Sequence, residues 1–195
     1  AANAFALEAM VNILCRRVDE HQDVRLESAA VKILGSEWLS KAADDVLQMR
    51  SGRGYETAES LAARNELPIS LERIYRDVRI NPIFEGTNQV MRLWTAREGM
   101  DCYKKLGDII TGKYSLDKKF KALAGIVWKF ANPSLGSAPD VGPLENHIDF
   151  VRREAKKLAR TTIKASVRYQ TNLAVKQLVT VRLAEVAMEL FAIPC

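Results

Sequence analysis

Histidine and cysteine are scarce in this chain of 195 residues, which holds two histidines and three cysteines. His21 and His147 stand far apart, and Cys15, Cys102 and Cys195 form no Cys-x-x-Cys pair. A structural zinc site needs four closely spaced ligands, and a Ser-His-Asp triad needs a histidine beside its serine. The sequence therefore disfavours a metal centre and triad hydrolysis. Dispersed cysteines of odd number are typical of a reduced intracellular compartment.

Long apolar runs, flexible linkers and aromatic stacking clusters are also lacking. No apolar stretch approaches the roughly 20 residues that span a bilayer, and no cleavable signal pattern opens the chain. A content of 48% hydrophobic and 27% charged residues is typical of a globular protein, so we expect a soluble or peripheral one. Aromatic residues make up 7% of the chain and do not alternate with the Lys/Arg clusters at 118–121 and 152–160. Nucleic-acid binding is therefore disfavoured despite the net charge of +5.

Positive charge is concentrated in the second half of the chain. Residues 1–100 contain 13 Lys and Arg against 15 Asp and Glu, whereas residues 101–195 contain 16 against 9. A helix predicted from residue 144 onward combines an apolar stripe with basic flanks. The basic residues are Arg152, Arg153, Lys156, Lys157 and Arg160. Two interpretations stay open: peripheral contact with an anionic membrane surface, or the solvated face of a bundle helix.

Helical periodicity dominates the sequence and predicts an all-α fold. Apolar residues recur at three- and four-residue spacings over residues 6–14, 26–49, 90–100, 116–131 and 144–190, with a break near 169–173. A short helix is predicted over residues 70–78, with Ser70 as its cap, and Thr87 or Asn88 is expected to cap the next helix. Residues 132–143 form the clearest linker, and no strand pattern stands out. We expect two helical units, residues 1–111 and 112–195.

Two segments carry polar residues in patterns suited to ligand binding. Residues 48–55, Gln-Met-Arg-Ser-Gly-Arg-Gly-Tyr, place glycines after a helix end, where backbone without a Cβ can approach a ligand. The alternative is a plain helix stop followed by a turn. Residues 83–89, Ile-Phe-Glu-Gly-Thr-Asn-Gln, place Glu85 among apolar residues before a helix start. A capping role is the alternative here, but partial shielding from water would make Glu85 a stronger base toward a carbon acid.

Together with the stretch Arg-Asp-Val-Arg-Ile at residues 76–80, these segments resemble the acyl-CoA dehydrogenase family. In that family a helix ends in a Gln-x-x-Gly-Gly-x-Gly-aromatic loop, an Arg-Asp-x-x-Ile stretch follows, and an aromatic-Glu-Gly-Thr turn opens a helix. All three occur here in that order, and the resemblance runs from about residue 6 to residue 105. Ser51 departs from it, because the family usually has glycine at that position.

The resemblance implies an FAD-dependent oxidoreductase of fatty-acid β-oxidation that converts an acyl-CoA to its trans-2-enoyl form. Glu85 would remove the α-proton while a hydride passes from the β-carbon to the flavin. Gly86 and Arg97 match substrate-binding positions. The matching cofactor-binding positions are Gln48, Gly52, Gly54, Thr87 and Gln89.

The resemblance also implies partners. The matches at Gln48, Gly52 and Gly54 correspond to positions that meet the FAD of a neighbouring subunit, so we expect a homo-oligomer, a dimer or a tetramer. An electron-transfer flavoprotein is the implied electron acceptor. The implied location is the cytoplasm of a bacterium or the mitochondrion of a eukaryote.

Complete members of the family are longer than this chain. They place an N-terminal helical domain and a middle β-domain ahead of the helical bundle, so residues 1–111 supply only the later bundle helices. We expect the isolated chain not to turn over substrate. Residues 112–195 resemble the additional helical region of the very-long-chain-type members. The alternative function is a non-catalytic structural or membrane-associating helical module.

Overall fold

The computed structural model describes residues 1–100, 125, 142–169, 172, 173 and 175–194, and within them all regular structure is helical. The α-helices are α1 Ala2–Asp19, α2 Arg25–Met49, α3 Ala58–Ala63, α4 Leu71–Arg79, α5 Asn88–Gly99, α6 Glu145–Tyr169 and α7 Gln177–Ala192. Two 3-10 helices span Ser51–Tyr55 and Gly142–Leu144. The all-α prediction is confirmed for the described residues. The helix expected over residues 116–131 and most of the linker at 132–143 lie outside them.

Helices α1 and α2 pack against each other after a polar turn at residues 20–24. Gly35 lies at their contact, because a Cβ added there would stand only 2.9 Å from Cδ1 of Leu7. Helix α2 is the longest element of the first hundred residues and extends for about 37 Å, at 1.5 Å per residue. Because it also contacts α4, α5 and α7, it forms the spine of the bundle.

The hydrophobic core joins residues from both ends of the chain. Its buried members are Met10, Ala30, Ile33, Leu34, Met188 and Ala192, which come from α1, α2 and α7. Trp38 packs against this cluster. Trp94 is 36% exposed, because the buried face of α5 carries the next two residues, Thr95 and Ala96.

A short helix that the sequence analysis missed follows the 3-10 helix. Thr57 caps α3, and its Oγ1 accepts a hydrogen bond of 3.3 Å from the amide of Ser60. Leu61 on this helix is fully buried, at 0% exposure. With only six residues, α3 is too short to produce a helical period in the sequence.

The described residues from 142 onward form two α-helices that contact each other, as the sequence predicts. The break lies between Tyr169 and Gln177. In α6 the basic side chains of Arg153, Lys156 and Arg160 are exposed, whereas the stripe through Ile148, Val151, Ala155, Leu158 and Thr162 is half-buried or buried. Helix α6 is therefore amphipathic, with its basic face open to solvent.

Candidate active site

The loop between α4 and α5 carries Glu85 and is held by its own backbone. The amide of Phe84 donates a hydrogen bond of 3.0 Å to the carbonyl of Ile80, and the amide of Asn88 donates one of 3.0 Å to the carbonyl of Pro82. The second bond brings the residue that begins α5 back to the start of the loop. Glu85 therefore sits in a tight turn immediately before a helix N-terminus, as the sequence predicts.

Glu85 and Gly86 both adopt left-handed backbone conformations, with φ angles of 52° and 91°. Glycine takes up this conformation freely, whereas a residue with a Cβ is destabilised there by roughly 1–2 kcal/mol. Other contacts must therefore hold the turn in place. A Cβ added to Gly86 would also stand 3.2 Å from the side chain of Met91.

The side chain of Glu85 is exposed on this chain, and so are Ile83 and Phe84 beside it. The expectation that these neighbours shield the carboxylate from water is not met by the described residues. The physical reason is that the loop lies on the outside of the bundle, where its apolar side chains are themselves about half exposed. A dry wall over Glu85 would have to come from outside the described residues.

Lys32 of α2 contacts the turn directly. Its ammonium Nζ donates hydrogen bonds of 2.6 Å to the carbonyl oxygen of Gly86 and 2.8 Å to Oδ1 of Asn88. The two acceptors flank Thr87, the N-cap of α5. Lys32 on α2 thus forms hydrogen bonds both with the turn and with the first residue of the helix that follows it.

Asn88 is the buried centre of this contact, with 1% of its surface exposed. Its Oδ1 accepts from Lys32, and its Nδ2 donates to Oγ of Ser36 over 2.9 Å and to Oε1 of Glu37 over 3.1 Å. The sequence analysis considered Asn88 only as an alternative cap. Its burial could not be found locally, because its partners lie more than 50 residues earlier in the chain.

Arg92 extends the polar network from Glu37 to α7. Two of its guanidinium nitrogens donate to the two carboxylate oxygens of Glu37 over 2.7 and 2.6 Å, and its Nε lies 3.3 Å from a carboxylate oxygen of Glu185. The hydrogen bonds from Arg92 lower the pKa of Glu37 below its usual value, against the opposing effect of partial burial. Ion pairs therefore link charged side chains on three helices: Glu37 on α2, Arg92 on α5 and Glu185 on α7.

Thr87 and Gln89, the two remaining polar residues of the predicted site, lie at the N-terminal end of α5. Thr87, one of the two predicted caps, is the N-cap residue, but its side chain forms no capping hydrogen bond. Gln89 is exposed. The first backbone N–H groups of a helix, together with its dipole, favour anionic or carbonyl oxygens at this end. Both residues are placed where a ligand of that chemistry could reach them.

Arg97 lies at the opposite end of α5. It is exposed and nine residues beyond Asn88, which corresponds to about 14 Å along the helix axis. The described structure therefore does not bring Arg97 next to Glu85. A substrate that touches both would have to extend along α5.

The glycine loop forms at the C-terminal end of α2. Gln48 and Gly52 are exposed, and a Cβ added to Gly52 would meet no atom within 4 Å. Gly54 is buried, and a Cβ there would lie 2.5 Å from the carbonyl oxygen of Leu47. Ser51 has a φ of 53°, so it takes up the left-handed conformation that favours glycine, the residue usual in the family at this position. The departure at Ser51 thus leaves the loop in a glycine-like backbone conformation.

The glycine loop and the Glu85 turn lie far apart on this chain. Lys32, which contacts the turn, and Gln48, at the loop, are sixteen residues apart on one continuous helix, or about 24 Å along its axis. The two groups of predicted ligand-binding residues therefore form separate surfaces.

Two cavities lined by described residues lie away from both surfaces. The first, of about 370 Å³, lies between α2, α5, α6 and α7 and is mainly apolar. The second lies beside Arg92 and Glu185. Within the described residues, no group of three or more His, Cys, Asp and Glu side chains could hold a metal ion, and no helix is long and apolar enough to cross a membrane.

Comparisons with known proteins place this geometry in context. A family model described as the C-terminal domain of acyl-CoA dehydrogenase matches residues 1–100. The chain is 42% identical over 205 residues to a probable acyl-CoA dehydrogenase, FadE10, of Mycobacterium tuberculosis, covering 99% of this chain and 32% of that protein. It is 28% identical over 200 residues to the mitochondrial very long-chain specific acyl-CoA dehydrogenase of Homo sapiens, covering 96% of this chain and 28% of that protein.

The chain is also similar to a solved structure of an acyl-CoA dehydrogenase. The crystal structure of an acyl-CoA dehydrogenase complexed with FAD from Bacillus anthracis superimposes with a TM-score of 0.56 and 28% sequence identity, covering 86% of this chain and 24% of that one. The chain spans about a third of the length of the curated relatives it matches. Because the family model covers more than half of its residues, the chain belongs to the acyl-CoA dehydrogenase family.

Proposed function

We propose that this chain is the C-terminal part of an FAD-dependent acyl-CoA dehydrogenase and that Glu85 removes the α-proton of the acyl-CoA. The observation that carries the proposal is the left-handed turn at Glu85 and Gly86, which stands at the N-terminus of α5 and is fastened to Lys32. A fixed carboxylate next to a helix start is suited to proton abstraction beside a carbonyl whose oxygen needs hydrogen-bond donors.

The residues of the chain fit an extended flavin dinucleotide at two surfaces. Gly52 leaves open space at its Cβ position, and Gln48, four residues earlier, is exposed, so a flat ligand can approach the backbone there. Thr87 and Gln89 offer polar groups at the start of α5. When bound, FAD would supply the two-electron acceptor for the hydride that leaves the substrate β-carbon.

The remaining chemistry belongs to the side chains of this chain. The Glu85 carboxylate accepts the α-proton and becomes a carboxylic acid, while the electron pair of the broken C–H bond forms the α,β double bond as the β-hydride departs. Gly86 leaves room for the thioester beside the base because it has no Cβ. Arg97, at the far end of α5, would bind a more distant part of an extended substrate.

The exposure of Glu85 is consistent with an incomplete site. The relatives are about three times as long as this chain, so we propose that upstream domains close over the turn and exclude water. We also propose that residues 1–111 and 112–195 are successive helical units of that enzyme. On this view the 195-residue chain alone has no dehydrogenase activity.

The separation of the two surfaces supports a homo-oligomer. Because Gln48, Gly52 and Gly54 lie about 24 Å along α2 from the contact at Lys32, they would serve the flavin of a second subunit rather than that of their own. A dimer or tetramer results, and an electron-transfer flavoprotein would reoxidise the flavin.

The decisive experiment replaces the proposed base. Glu85→Gln is introduced into a polypeptide in which this chain follows the upstream domains of an acyl-CoA dehydrogenase, and acyl-CoA oxidation is measured per bound FAD. We expect turnover to be lost while FAD is retained. Glu8→Gln, which changes an exposed carboxylate on α1, serves as the matched control and should keep full turnover. Unchanged turnover in Glu85→Gln would place the base elsewhere.

Peripheral membrane contact is a second candidate function, carried by the exposed basic face of α6. Lys156 and Arg160 are exposed next to a half-buried apolar stripe, which is the arrangement of an interfacial helix. Co-sedimentation with anionic vesicles should fall in the double variant Lys156→Glu, Arg160→Glu and with rising salt. The variant Arg16→Glu, Lys41→Glu carries the same charge change on α1 and α2 and should bind as the wild type does. Absence of binding at low salt rejects membrane contact.

A further inference from the structure

The ammonium group of Lys32 donates two hydrogen bonds to the segment that carries Glu85. Its Nζ lies 2.6 Å from the carbonyl oxygen of Gly86 and 2.8 Å from Oδ1 of Asn88. Both distances are typical of charge-assisted hydrogen bonds, which are stronger than bonds between neutral groups. Among the described residues, Lys32 is the side chain that donates a hydrogen bond to the backbone of residues 83–87.

The backbone at this point needs such support. Glu85 has a φ of 52°, a conformation that destabilises a residue with a Cβ by roughly 1–2 kcal/mol relative to the right-handed region. If the carbonyl of Gly86 were released, the peptide between Gly86 and Thr87 could rotate, and Glu85 could relax toward a negative φ. The change in φ at Glu85 would move its carboxylate away from its present position.

The anchor itself is rigid. Lys32 lies on α2 within one turn of Ser36, and Asn88 is buried and bonded to both Ser36 and Glu37 of the same helix. The turn is therefore attached to α2 at two neighbouring points, the carbonyl of Gly86 and the side chain of Asn88. Buried, fully bonded polar groups of this kind fix one geometry, because an unpaired donor or acceptor would be costly.

We propose that Lys32 is a positioning residue for the dehydrogenase reaction: it locks the left-handed Glu85–Gly86 turn so that the carboxylate stays aimed at the substrate α-carbon. This inference rests on the proposed function of Glu85. Lys32 touches neither substrate nor flavin in this account and acts only through the turn. A catalytic group displaced by about 1 Å can lose on the order of a hundredfold in rate, so the anchor should matter to kcat.

The test compares Lys32→Met with Lys41→Met in the polypeptide that contains the upstream domains. Methionine keeps the length of the side chain and removes the ammonium, and Lys41 is an exposed lysine on the same helix that pairs only with Asp45 among the described contacts. We expect kcat per bound FAD to fall between about tenfold and a hundredfold in Lys32→Met. KM for the acyl-CoA should change less than kcat, and the FAD content should stay within about twofold of the wild-type value, because Lys32 itself touches neither substrate nor flavin. Lys41→Met should match the wild type.

A second readout separates positioning from loss of folded protein. With an acyl-CoA deuterated at the α-carbon, the isotope effect on kcat should rise in Lys32→Met, because a misplaced base makes proton abstraction rate-limiting. A smaller fraction of folded enzyme would lower the total rate but leave the isotope effect per bound FAD unchanged. A wild-type kcat and isotope effect per bound FAD in Lys32→Met would overturn the proposal.

The outcome for Glu85→Gln keeps the two proposals distinguishable. If Glu85→Gln loses turnover and Lys32→Met does not, Glu85 is the base and the positioning role of Lys32 is wrong. If Glu85→Gln keeps turnover, the proposed function itself fails, whatever Lys32→Met does.

Discussion

Single residues in the glycine loop differ sharply in what their backbone requires. Gly54 is enclosed by its own chain, since a Cβ would lie 2.5 Å from the carbonyl oxygen of Leu47, whereas the corresponding space at Gly52 is open. The sequence shows two equivalent glycines two positions apart. The two glycines differ only because the 3-10 helix packs against the end of α2 at Gly54. Their separate roles could therefore not be predicted from the sequence.

We expect Gly54→Ala to destabilise the fold by about 1–3 kcal/mol, because the new methyl group must displace backbone rather than a flexible side chain. Urea denaturation of the chain measures the change. Gly52→Ala is the matched control in the same loop and should alter the free energy of unfolding by less than about 0.5 kcal/mol. Equal effects of the two substitutions would contradict the packing at Leu47.

Ser51 offers a change in the opposite direction. Its φ of 53° is favourable for glycine and unfavourable for serine, so Ser51→Gly should stabilise the chain by about 1 kcal/mol. Asn65→Gly is the control, because Asn65 has a similar φ of 59° but asparagine tolerates this conformation better. Urea titrations should therefore show a clear gain for the first variant and a smaller one for the second. A loss of stability in Ser51→Gly would mean that the serine side chain makes a contact worth more than the backbone strain.

The site residues were predictable where their role is local. The turn at Glu85, the N-cap at Thr87 and the end of α2 before Gly52 all follow from motif, glycine and helix-start patterns in adjacent residues. The contacts of Lys32 with Gly86 and Asn88 could not be predicted from the sequence, because they join residues 54 and 56 positions apart. A single sequence carries no signal that brings such residues together.

At the scale of elements, α2 organises the candidate site. It carries Lys32, Ser36 and Glu37 on the side that meets α5, and its C-terminal end leads into the glycine loop. Periodicity predicted this helix and its end correctly, because apolar residues recur regularly along its length. The polar residues on its α5 side went unnoticed because they interrupt that period, and interruption alone does not distinguish a buried network from a solvated face.

The contact between α2 and α5 should weaken in acid. The hydrogen bonds from Arg92 lower the folded-state pKa of Glu37, whose usual value is 4.5. A group with a lowered folded pKa contributes stability that is fully present above its unfolded pKa and is lost as pH falls through the folded value. The pair therefore stabilises the fold at neutral pH, and its contribution fades below about pH 4.5.

Glu37→Gln should accordingly destabilise the chain at pH 7 and much less at pH 3. Because the carboxylate is about two-fifths exposed, solvent screening keeps the effect at pH 7 to about 1–2 kcal/mol. Urea unfolding at both pH values measures it. Glu8→Gln, which alters an exposed carboxylate on α1, should show no such dependence on pH. A difference between Glu37→Gln and the wild type that stays constant from pH 7 to pH 3 would show that the charge of Glu37 is not what matters.

At the scale of the whole molecule, α7 completes a core that begins at α1. Met188 and Ala192 are buried against Met10 and Ile33, and Glu185 of the same helix pairs with Arg92. The sequence analysis divided the chain into two helical units, and that division stays a prediction. What the sequence could not indicate is the shared core, because apolar stripes on α1, α2 and α7 are equally compatible with separate bundles.

A shared core predicts that α7 and α2 unfold together. Met188→Ala removes a side chain that is 3% exposed and should cost about 2–5 kcal/mol, whereas Val186→Ala, at a position that is 47% exposed on the same helix, should cost far less. Hydrogen exchange followed by mass spectrometry tests the coupling. In Met188→Ala the amides of α2 around Ile33 and Leu34 should exchange faster along with those of α7, because one cooperative unit loses the same free energy throughout. Faster exchange confined to α7, with α2 as protected as in the wild type, would show that the C-terminal helix is an independently unfolding addition to the bundle.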